Sequence, residues 1–227
     1  MLLCISLCSC KRQPSGSDVL PVHEIKTLWS AAGQGDLPEV QKILGQGTLV
    51  NLKDQNGNTA LYYAAQSKNA SLVRFLIHQG ADVNATGGGN VTPLMLSVDM
   101  AFGNPEIALE LIKAGADVSA ADKNGDTALL IATTESSQQV MWELLRRGPN
   151  PNARGFNGDT ALHYAAMNGL SDRVKLLVRY GADPSIRNSG GRSAIDVAAT
   201  TNSDSEVRKH FETTRNVLIA ALPRQKK

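Results

Sequence analysis

The chain has 227 residues, of which 42% are apolar and 4% are aromatic, and its formal net charge is +2 at pH 7. A charge this small argues against a nucleic acid or an anionic membrane surface as the binding partner. The apolar fraction is sufficient for a folded core, and the scarcity of aromatic residues indicates that small side chains fill much of it.

The first ten residues differ from the rest of the chain, because they hold all three cysteines of the protein. They are mostly apolar and precede Lys11 and Arg12, a composition typical of an export segment. The stretch 7–10, Leu-Cys-Ser-Cys, resembles a bacterial lipobox, and this resemblance implies acylation of Cys10. The alternative is a disordered cytosolic tail. The spacing of these cysteines provides neither a zinc tetrad nor a disulfide framework.

Residues 11–25 contain two prolines around a Ser-Gly-Ser run, a composition that predicts a linker. The folded domain is expected to begin at residue 26. A short basic tail, 223–227, closes the chain.

One motif returns at a fixed interval, and its fullest copy is Thr160-Ala161-Leu162-His163-Tyr164-Ala165-Ala166. Each copy opens 33, 35, 33 and 33 residues after the one before, at Thr59, Thr92, Thr127, Thr160 and Ser193. A glycine stands 12 residues before each opening residue, at Gly47, Gly80, Gly115, Gly148 and Gly181. A period of this length indicates a stack of repeated structural units.

This pattern resembles the ankyrin repeat, in which a Thr-Pro-Leu-His-x-Ala-Ala helix precedes a second helix and a Gly-Ala-Asp stop. Residues 115–117 and 181–183 reproduce that stop. The resemblance covers roughly residues 26–222 and implies an all-α solenoid of about six stacked helix-turn-helix units, curved, with β-hairpin tips along one edge. It also implies binding of another protein. The predicted units are an N-terminal cap at 26–57, repeats at 58–90, 91–125, 126–158 and 159–191, and a C-terminal cap at 192–222.

The residues of each unit suit this fold on physical grounds. The opening threonine is a good N-cap, and Ser193 with Asp196 is typical of a capping box. We expect His163 to hydrogen-bond locally and order its turn. The marker glycines should adopt positive φ just after the second helices. No single unit can bury its apolar side alone, so neighbouring units must cover it.

With the N-terminal cap counted as the first repeat, the third repeat is 91–125. It is two residues longer than the others, and the extra residues fall between its helices, near Met100 and Phe102. Their apolar side chains either contact a partner or cover the neighbouring helices.

Patterns for catalysis or cofactor binding do not occur in the sequence. The four histidines, at 23, 78, 163 and 210, fall in different structural units. No nucleophile elbow, zinc-protease motif or phosphate loop is present. We therefore predict a protein that is not an enzyme and has no cofactor, catalytic residue or metal site.

The resemblance places the partner-binding positions at the hairpin tips and just after the alanine pairs. The predicted contacts are Asn58, Gln66, Asp99, Met100, Lys123, Asp126, Glu135, Phe156, Asp159 and Met167. Asp126 and Asp159 hold equivalent positions in adjacent repeats, which predicts an acidic ridge that receives a basic partner surface. The alternative is that these acids only keep the surface soluble.

The leading functional hypothesis is a non-catalytic, monomeric module that binds another protein through its tips and concave helix face. We expect it in the bacterial cell envelope, with a lipid on Cys10 as its only membrane attachment; the alternative location is the cytoplasm. The alternative function is inhibition of a partner enzyme or toxin, as an immunity protein does.

Overall fold

The computed structural model describes residues 22–99, 103–135, 138–198 and 205–222. Twelve α-helices lie in these ranges: α1 (Val22–Gln34), α2 (Leu37–Gly45), α3 (Ala60–Gln66), α4 (Ala70–His78), α5 (Pro93–Val98), α6 (Pro105–Lys113), α7 (Ala128–Glu135), α8 (Gln138–Arg146), α9 (Ala161–Met167), α10 (Ser171–Arg179), α11 (Ala194–Ala198) and α12 (Ser205–Ala221). They follow one another as six pairs, which confirms the predicted all-α stack of helix-turn-helix units. Within the described ranges, no helix is both long enough and apolar enough to cross a bilayer.

The first helix begins earlier than the sequence predicted. α1 starts at Val22, so residues 22–25 are helical and the predicted linker is too long at its C-terminal end. The sequence accounts for the longer helix, because Val22, Ile25 and Trp29 are apolar at the three- and four-residue spacing of one helix face. The segment 1–10, the preceding part of the linker and the tail 223–227 lie outside the described residues.

The helices form two rows. The odd-numbered helices, here called the inner row, pack on one another in the order α1, α3, α5, α7, α9 and α11. The even-numbered helices form the outer row, in which α4, α6, α8, α10 and α12 pack in succession. The two helices of each unit also pack together. Each inner unit therefore buries its apolar residues against the unit before it and the unit after it.

Small and large apolar residues alternate through this core. The leucine of the repeated motif is fully buried, with 0% exposure at Leu61, Leu94, Leu129 and Leu162. Burial of one such side chain stabilises the fold by about 1.5–3 kcal/mol. The paired alanines are also 0% exposed at Ala64, Ala65, Ala165 and Ala166. Because an alanine adds so little bulk, helices of the inner row can approach each other closely.

The N-terminal caps form as the sequence predicts. The hydroxyl of Thr59 accepts a hydrogen bond from the Tyr62 N–H at 3.2 Å, and Thr92 accepts one from Met95 at 3.2 Å. Ser193 and Asp196 form the reciprocal pair of a capping box, with bonds of 2.9 and 3.3 Å. Each cap satisfies backbone donors that the helix itself leaves free.

His163 joins two units as well as capping its own helix. Its Nδ1 accepts from the Thr160 N–H at 3.2 Å, so the ring proton lies on Nε2. Nε2 then donates to the carbonyl of Arg192, 2.9 Å away in the next unit. The ring is 1% exposed. The predicted local role is confirmed, and the bond to Arg192 extends it to the neighbouring unit.

The connections between helices match the predicted pattern of stops and insertion. The five marker glycines have positive φ, at 97°, 84°, 91°, 76° and 88° in chain order. In the third repeat α5 ends at Val98 and α6 begins at Pro105, which is a longer gap than in the first, second, fourth and fifth units. The extra residues therefore lie between the two helices, as predicted.

The hairpin tips are tight turns rather than pairs of strands. We number them tip 1 to tip 5: Asp54–Asn58, Gly87–Val91, Asp122–Asp126, Gly155–Asp159 and Asn188–Arg192. In each tip the first residue donates its N–H to the carbonyl of the last at 2.9 Å. Within the described residues the only β-pairing is two isolated antiparallel bridges, Ala121 with Thr127 and Arg187 with Ser193. The predicted β-hairpins are this short because the chain enters a helix cap directly after each tip.

Asparagine side chains join the loops that follow the outer helices. Asn51 donates to the Gly80 carbonyl at 3.0 Å and accepts from the Asp82 N–H at 2.8 Å. Asn152 makes the same two bonds, to Gly181 at 3.2 Å and from Asp183 at 2.8 Å.

The third repeat interrupts this set of asparagine bridges. In the second repeat Asn84 accepts from the Asp117 N–H at 2.8 Å. The equivalent residue in the third repeat is Ser119, and among the described residues it makes no side-chain bond to the fourth repeat. A serine side chain is shorter than an asparagine side chain and has no amide group to donate. The junction between the third and fourth repeats therefore lacks one bridge.

We predict that Gly181→Val destabilises the protein by more than about 1 kcal/mol, because a β-branched residue is strained at positive φ. The space around Gly181 is open, with no atom within 4 Å of the point where a Cβ would lie, so the effect should come from the backbone alone. Urea unfolding followed by circular dichroism measures it. Gly45 is the matched control, since it is helical and equally open. Gly181→Ala should lower the urea midpoint while Gly45→Ala raises it; equal shifts would contradict the assigned helix stop.

We predict that Ser119→Asn stabilises the protein by about 0.5–1.5 kcal/mol, because it supplies the missing bridge between the third and fourth repeats. The reverse change, Asn84→Ser, should destabilise by a similar amount. Urea midpoints of both variants test the expectation. A stabilisation by Asn84→Ser, or a loss of stability in Ser119→Asn, would show that the bridge is not a stabilising contact.

Candidate protein-binding surface

The predicted contact residues differ widely in their exposure. Lys123 and Phe156 are exposed, and Phe156 has 59% of its surface in solvent. The half-buried members are Gln66, Asp99, Asp126 and Met167. Asn58 and Asp159 are buried, each 8% exposed. Met100, the side chain of Glu135 and the predicted lipidation site Cys10 lie outside the described residues.

Tips 1, 3 and 5 each begin with a residue that caps its own turn. In tip 3 the Asp122 carboxylate accepts from the N–H groups of Asn124 and Asp126, at 2.7 and 2.9 Å. Asp54 and Asn188 make the same pair of bonds in tips 1 and 5. A short polar side chain that accepts from the backbone two residues on is a common way to close a turn.

Tips 2 and 4 begin with glycine, and the preceding tip supplies a side-chain acceptor for the N–H of their second residue. The Asn58 side-chain oxygen of tip 1 accepts from the Gly88 N–H at 3.1 Å. The Asp126 carboxylate of tip 3 accepts from the Phe156 N–H at 3.2 Å. A Cβ on Gly87 would lie 2.2 Å from the Asn58 oxygen, and a Cβ on Gly155 would lie 2.0 Å from the Asp126 carboxylate. A larger residue at either position would therefore displace the side chain of the preceding tip and break its hydrogen bond.

A different set of bonds joins each glycine tip to the tip that follows it. The Lys123 N–H donates to the Gly89 carbonyl at 2.9 Å, and the Ser189 N–H donates to the Asn157 carbonyl at 2.8 Å. The Asp159 carboxylate also accepts from the Asn188 side-chain amide at 2.7 Å. The five tips consequently form one hydrogen-bonded row.

The acidic ridge predicted from the sequence does not form. Asp159 is buried against Asn188, and Asp126 is half-buried with its carboxylate directed at the next tip. Burial raises the pKa of the Asp126 carboxyl. The pKa of the Tyr164 hydroxyl is also raised, first by burial and second by the negative charge of the nearby Asp126 carboxylate. These acids hold the tips together, and for this reason they are not available as an exposed ridge.

Basic side chains are exposed on the same tips or directly before them. Lys123, Arg154, Arg187 and Arg192 are all exposed. Of these four, the sequence analysis predicted only Lys123 as a contact. Arg154 and Arg187 stand immediately before tips 4 and 5, at the position that Lys53 holds before tip 1. The recurrence of a basic residue directly before a tip is the sequence pattern from which a basic surface could have been predicted.

The inner row beside the tips presents half-buried apolar and aromatic groups. Tyr164 and Met167 of α9 are half-buried, as is Tyr63 of α3. The Tyr63 hydroxyl donates to the Asp54 carboxylate at 2.6 Å and accepts from the Asn58 amide at 3.0 Å. Aromatic groups held by such bonds are rigid contact surfaces for another molecule.

The outer row offers a less suitable binding surface. Its exposed Trp142 on α8 is stacked with Arg146, whose guanidinium carbon lies 4.7 Å from the ring centroid. A crevice between α4 and α6 contains Arg74, but Glu106 and Glu110 already pair with that side chain at 3.1 and 3.4 Å. Across the described ranges, no three acidic, histidine or cysteine side chains are grouped as a metal site would require.

Comparison with known proteins gives two kinds of match. Among curated proteins, the chain is 41% identical over 63 residues to a palmitoyltransferase of Schizosaccharomyces pombe, covering 27% of this chain and 10% of that protein. It is 33% identical over 116 residues to an L-asparaginase of Dirofilaria immitis, covering 50% of this chain and 19% of that protein. Because the chain spans so little of these relatives, their activities do not transfer to it.

A solved structure matches much more of the chain. It is that of a predatory endopeptidase from Bdellovibrio bacteriovorus in complex with an immunity protein. The matched chain has a TM-score of 0.70 and 29% identity, and the match covers 86% of this chain and 97% of that chain.

A family model of ankyrin repeats, described as three copies, matches residues 28–122, 98–188 and 143–209. These overlapping ranges span most of the chain, and the stacked helix pairs and tips have the form that the motif implies. The protein therefore belongs to the ankyrin repeat family, whose members are typically non-catalytic protein-interaction modules.

Proposed function

We propose that this protein binds a partner protein with its tips and inner-row face, that Phe156 is the central contact, and that the protein performs no catalysis itself. The observation that carries the proposal is the 59% exposure of Phe156 on tip 4. The exposed part of an aromatic side chain does not stabilise the folded monomer. When a partner covers it, the same side chain can contribute strongly to the binding free energy, because aromatic residues dominate the energetics of protein interfaces.

The backbone that carries Phe156 is held on both sides. Its N–H is bound by Asp126 of tip 3, and its carbonyl accepts from the Asp159 N–H at 3.2 Å. The next residue, Asn157, is bonded through its carbonyl to Ser189 of tip 5. A contact residue on a backbone fixed in this way loses little conformational entropy on binding.

The helix behind tip 4 supplies further contact area. Met167 lies at the end of α9 and is half-buried, and Tyr164 stands one turn earlier on the same helix. Methionine adapts its shape to an irregular partner surface. Of the contacts proposed from the sequence, Lys123, Phe156 and Met167 remain candidates here, together with Gln66 and Asp99 on the inner row.

A second candidate function is inhibition of an enzyme. It is supported by the match to a chain from a complex of an endopeptidase with an immunity protein. The match extends along 97% of that chain, so it concerns the whole repeat stack rather than one motif. An inhibitor needs only to cover an active site, and a rigid row of tips with a projecting aromatic residue can do so without chemistry of its own.

For the location we propose the bacterial cell envelope, with the protein acting as a monomer attached through a lipid on Cys10. The support is the sequence alone: the cysteines are confined to the first ten residues, and residues 7–10 resemble a lipobox. A cytoplasmic protein is the alternative.

We predict that Phe156→Ala weakens partner binding by about tenfold or more, because it removes the main apolar contact. The partner is captured on immobilised protein, identified by mass spectrometry, purified and titrated by calorimetry. Trp142→Ala is the matched control, since Trp142 is a similarly exposed aromatic residue on the outer row. It should change the affinity little. Equal losses in the two variants would place the interface elsewhere.

The same purified partner distinguishes the two candidate functions. If the partner is an enzyme, its turnover is measured with increasing amounts of this protein. If the wild-type protein inhibits the enzyme and Phe156→Ala does not, the result supports the function of an enzyme inhibitor. Binding without inhibition supports the interaction module alone.

We predict that Cys10→Ser releases the protein from the membrane fraction, because the lipid would have no attachment site. Fractionation of cells that express each form is the measurement. Cys4→Ser and Cys8→Ser are the controls and should leave the protein with the membrane. Incorporation of labelled palmitate into Cys10→Ser would show that the lipid is attached to another residue, and membrane retention of that variant without label would show that Cys10 is not the anchor.

A further inference from the structure

We infer that tips 3 to 5 form a basic docking surface around Phe156 that recognises an acidic protein segment containing an apolar side chain. This inference rests on the proposed function and specifies the chemistry of the partner. It reverses the charge that the sequence suggested, since the predicted ridge was acidic and called for a basic partner.

The reversal follows from the direction of the carboxylates. Asp122 accepts from two N–H groups of its own tip, Asp126 from the Phe156 N–H, and Asp159 from the Asn188 amide. Each of these bonds holds a carboxylate group against the row of tips and away from solvent. The exposed charges that remain on tips 3 to 5 are therefore mainly positive.

The basic side chains on this surface are only partly compensated. Arg187 pairs with the Asp196 carboxylate at 3.1 Å. Arg154 donates to the carbonyl of Arg187, which leaves its positive charge in place. Among the described residues, neither Lys123 nor Arg192 forms an ion pair. Exposed charges of this kind raise the rate at which an oppositely charged partner associates.

Phe156 lies between these charges. Tip 4 is bonded to tip 3 through Asp126 and to tip 5 through Ser189. Lys123 and Arg192 belong to the tips on either side of tip 4, and the Lys123 side chain lies over Gly89 of tip 2. Tip 2 has no charged residue of its own, and tip 1 is preceded by the exposed Lys53. Three of the exposed basic residues, Arg154, Arg187 and Arg192, stand on or next to tips 4 and 5, where the exposed aromatic residue also lies.

An acidic protein fits this surface better than a nucleic acid does. The whole chain carries a net charge of only +2, whereas domains that bind nucleic acid are usually strongly basic. Phosphate binding depends on the number of cations, and this surface presents only Lys123, Arg154, Arg187 and Arg192, of which Arg187 is already paired with Asp196.

The test uses fluorescein-labelled probes of defined chemistry: a short peptide of glutamate and leucine, its lysine and leucine counterpart, and a single-stranded RNA. Binding to the full chain is followed by fluorescence anisotropy and stopped-flow at low salt. The wild-type protein should bind the glutamate peptide in preference to both other probes. Lys123→Glu combined with Arg192→Glu should slow its association by about tenfold, and added salt should reduce that difference.

The control makes the same charge change on the outer row, with Lys113→Glu and Arg179→Glu, both exposed at the ends of α6 and α10. It should leave association of the glutamate peptide nearly unchanged. Thermal unfolding of both double variants checks that they remain folded. Equal slowing by the two pairs, no preference for the glutamate peptide, or tighter binding of the RNA would each overturn the inference.

These results are separable from the test of the proposed function. If the captured partner requires Phe156 and is indifferent to the reversal of Lys123 and Arg192, the proposed function stands and the basic docking surface is wrong. If charge reversal abolishes binding of the acidic peptide while Phe156→Ala leaves capture of the partner intact, the basic surface stands without the Phe156-centred contact.

Discussion

Contact between successive units is the constraint on which this structure depends. A single helix pair has an apolar side that it cannot cover, so its stability comes from the neighbouring pairs. Polar bonds follow the same rule: His163 reaches Arg192 in the next unit, and Asn51 bridges to Gly80 and Asp82. Much of the hydrogen bonding that orders one unit is therefore supplied by another. A change at one junction affects both of the units that meet there.

This dependence determines which charges the protein can present to a partner. A carboxylate near a tip is close to a backbone N–H or a side-chain amide of the next tip, and it is stabilised by accepting from that group. Asp126 and Asp159 are used in this way, and their charge is directed inward. Lysine and arginine cannot replace them, because their side chains only donate. Basic residues at the tips consequently extend into solvent, and the exposed charge of tips 3 to 5 differs from the local count of acids and bases.

The sequence was sufficient for the fold and insufficient for the surface. The helix pairs, the caps at Thr59 and Thr92, and the positive φ of the marker glycines follow from local rules that each repeat satisfies separately. The burial of Asp159 depends on Asn188 in the next repeat, which no pattern within one repeat reveals. For the same reason the glycines that open tips 2 and 4 look like ordinary turn residues in the sequence, whereas in the structure a side chain from the preceding tip occupies the place of their Cβ atoms.

Tips that begin with glycine (2 and 4) alternate along the stack with tips that cap their own turn (1, 3 and 5), and this alternation limits which tips can be neighbours. Excision of residues 92–126 would bring tip 4 against tip 2, where Val91 offers no side-chain acceptor for the Phe156 N–H. Excision of residues 59–126 would bring tip 4 against tip 1, and the Asn58 oxygen could then take the place of the Asp126 carboxylate. A glycine tip therefore needs a tip that ends in Asn or Asp before it. Shortening the stack directly ahead of tip 4 keeps this bond when two units are removed and loses it when one is removed.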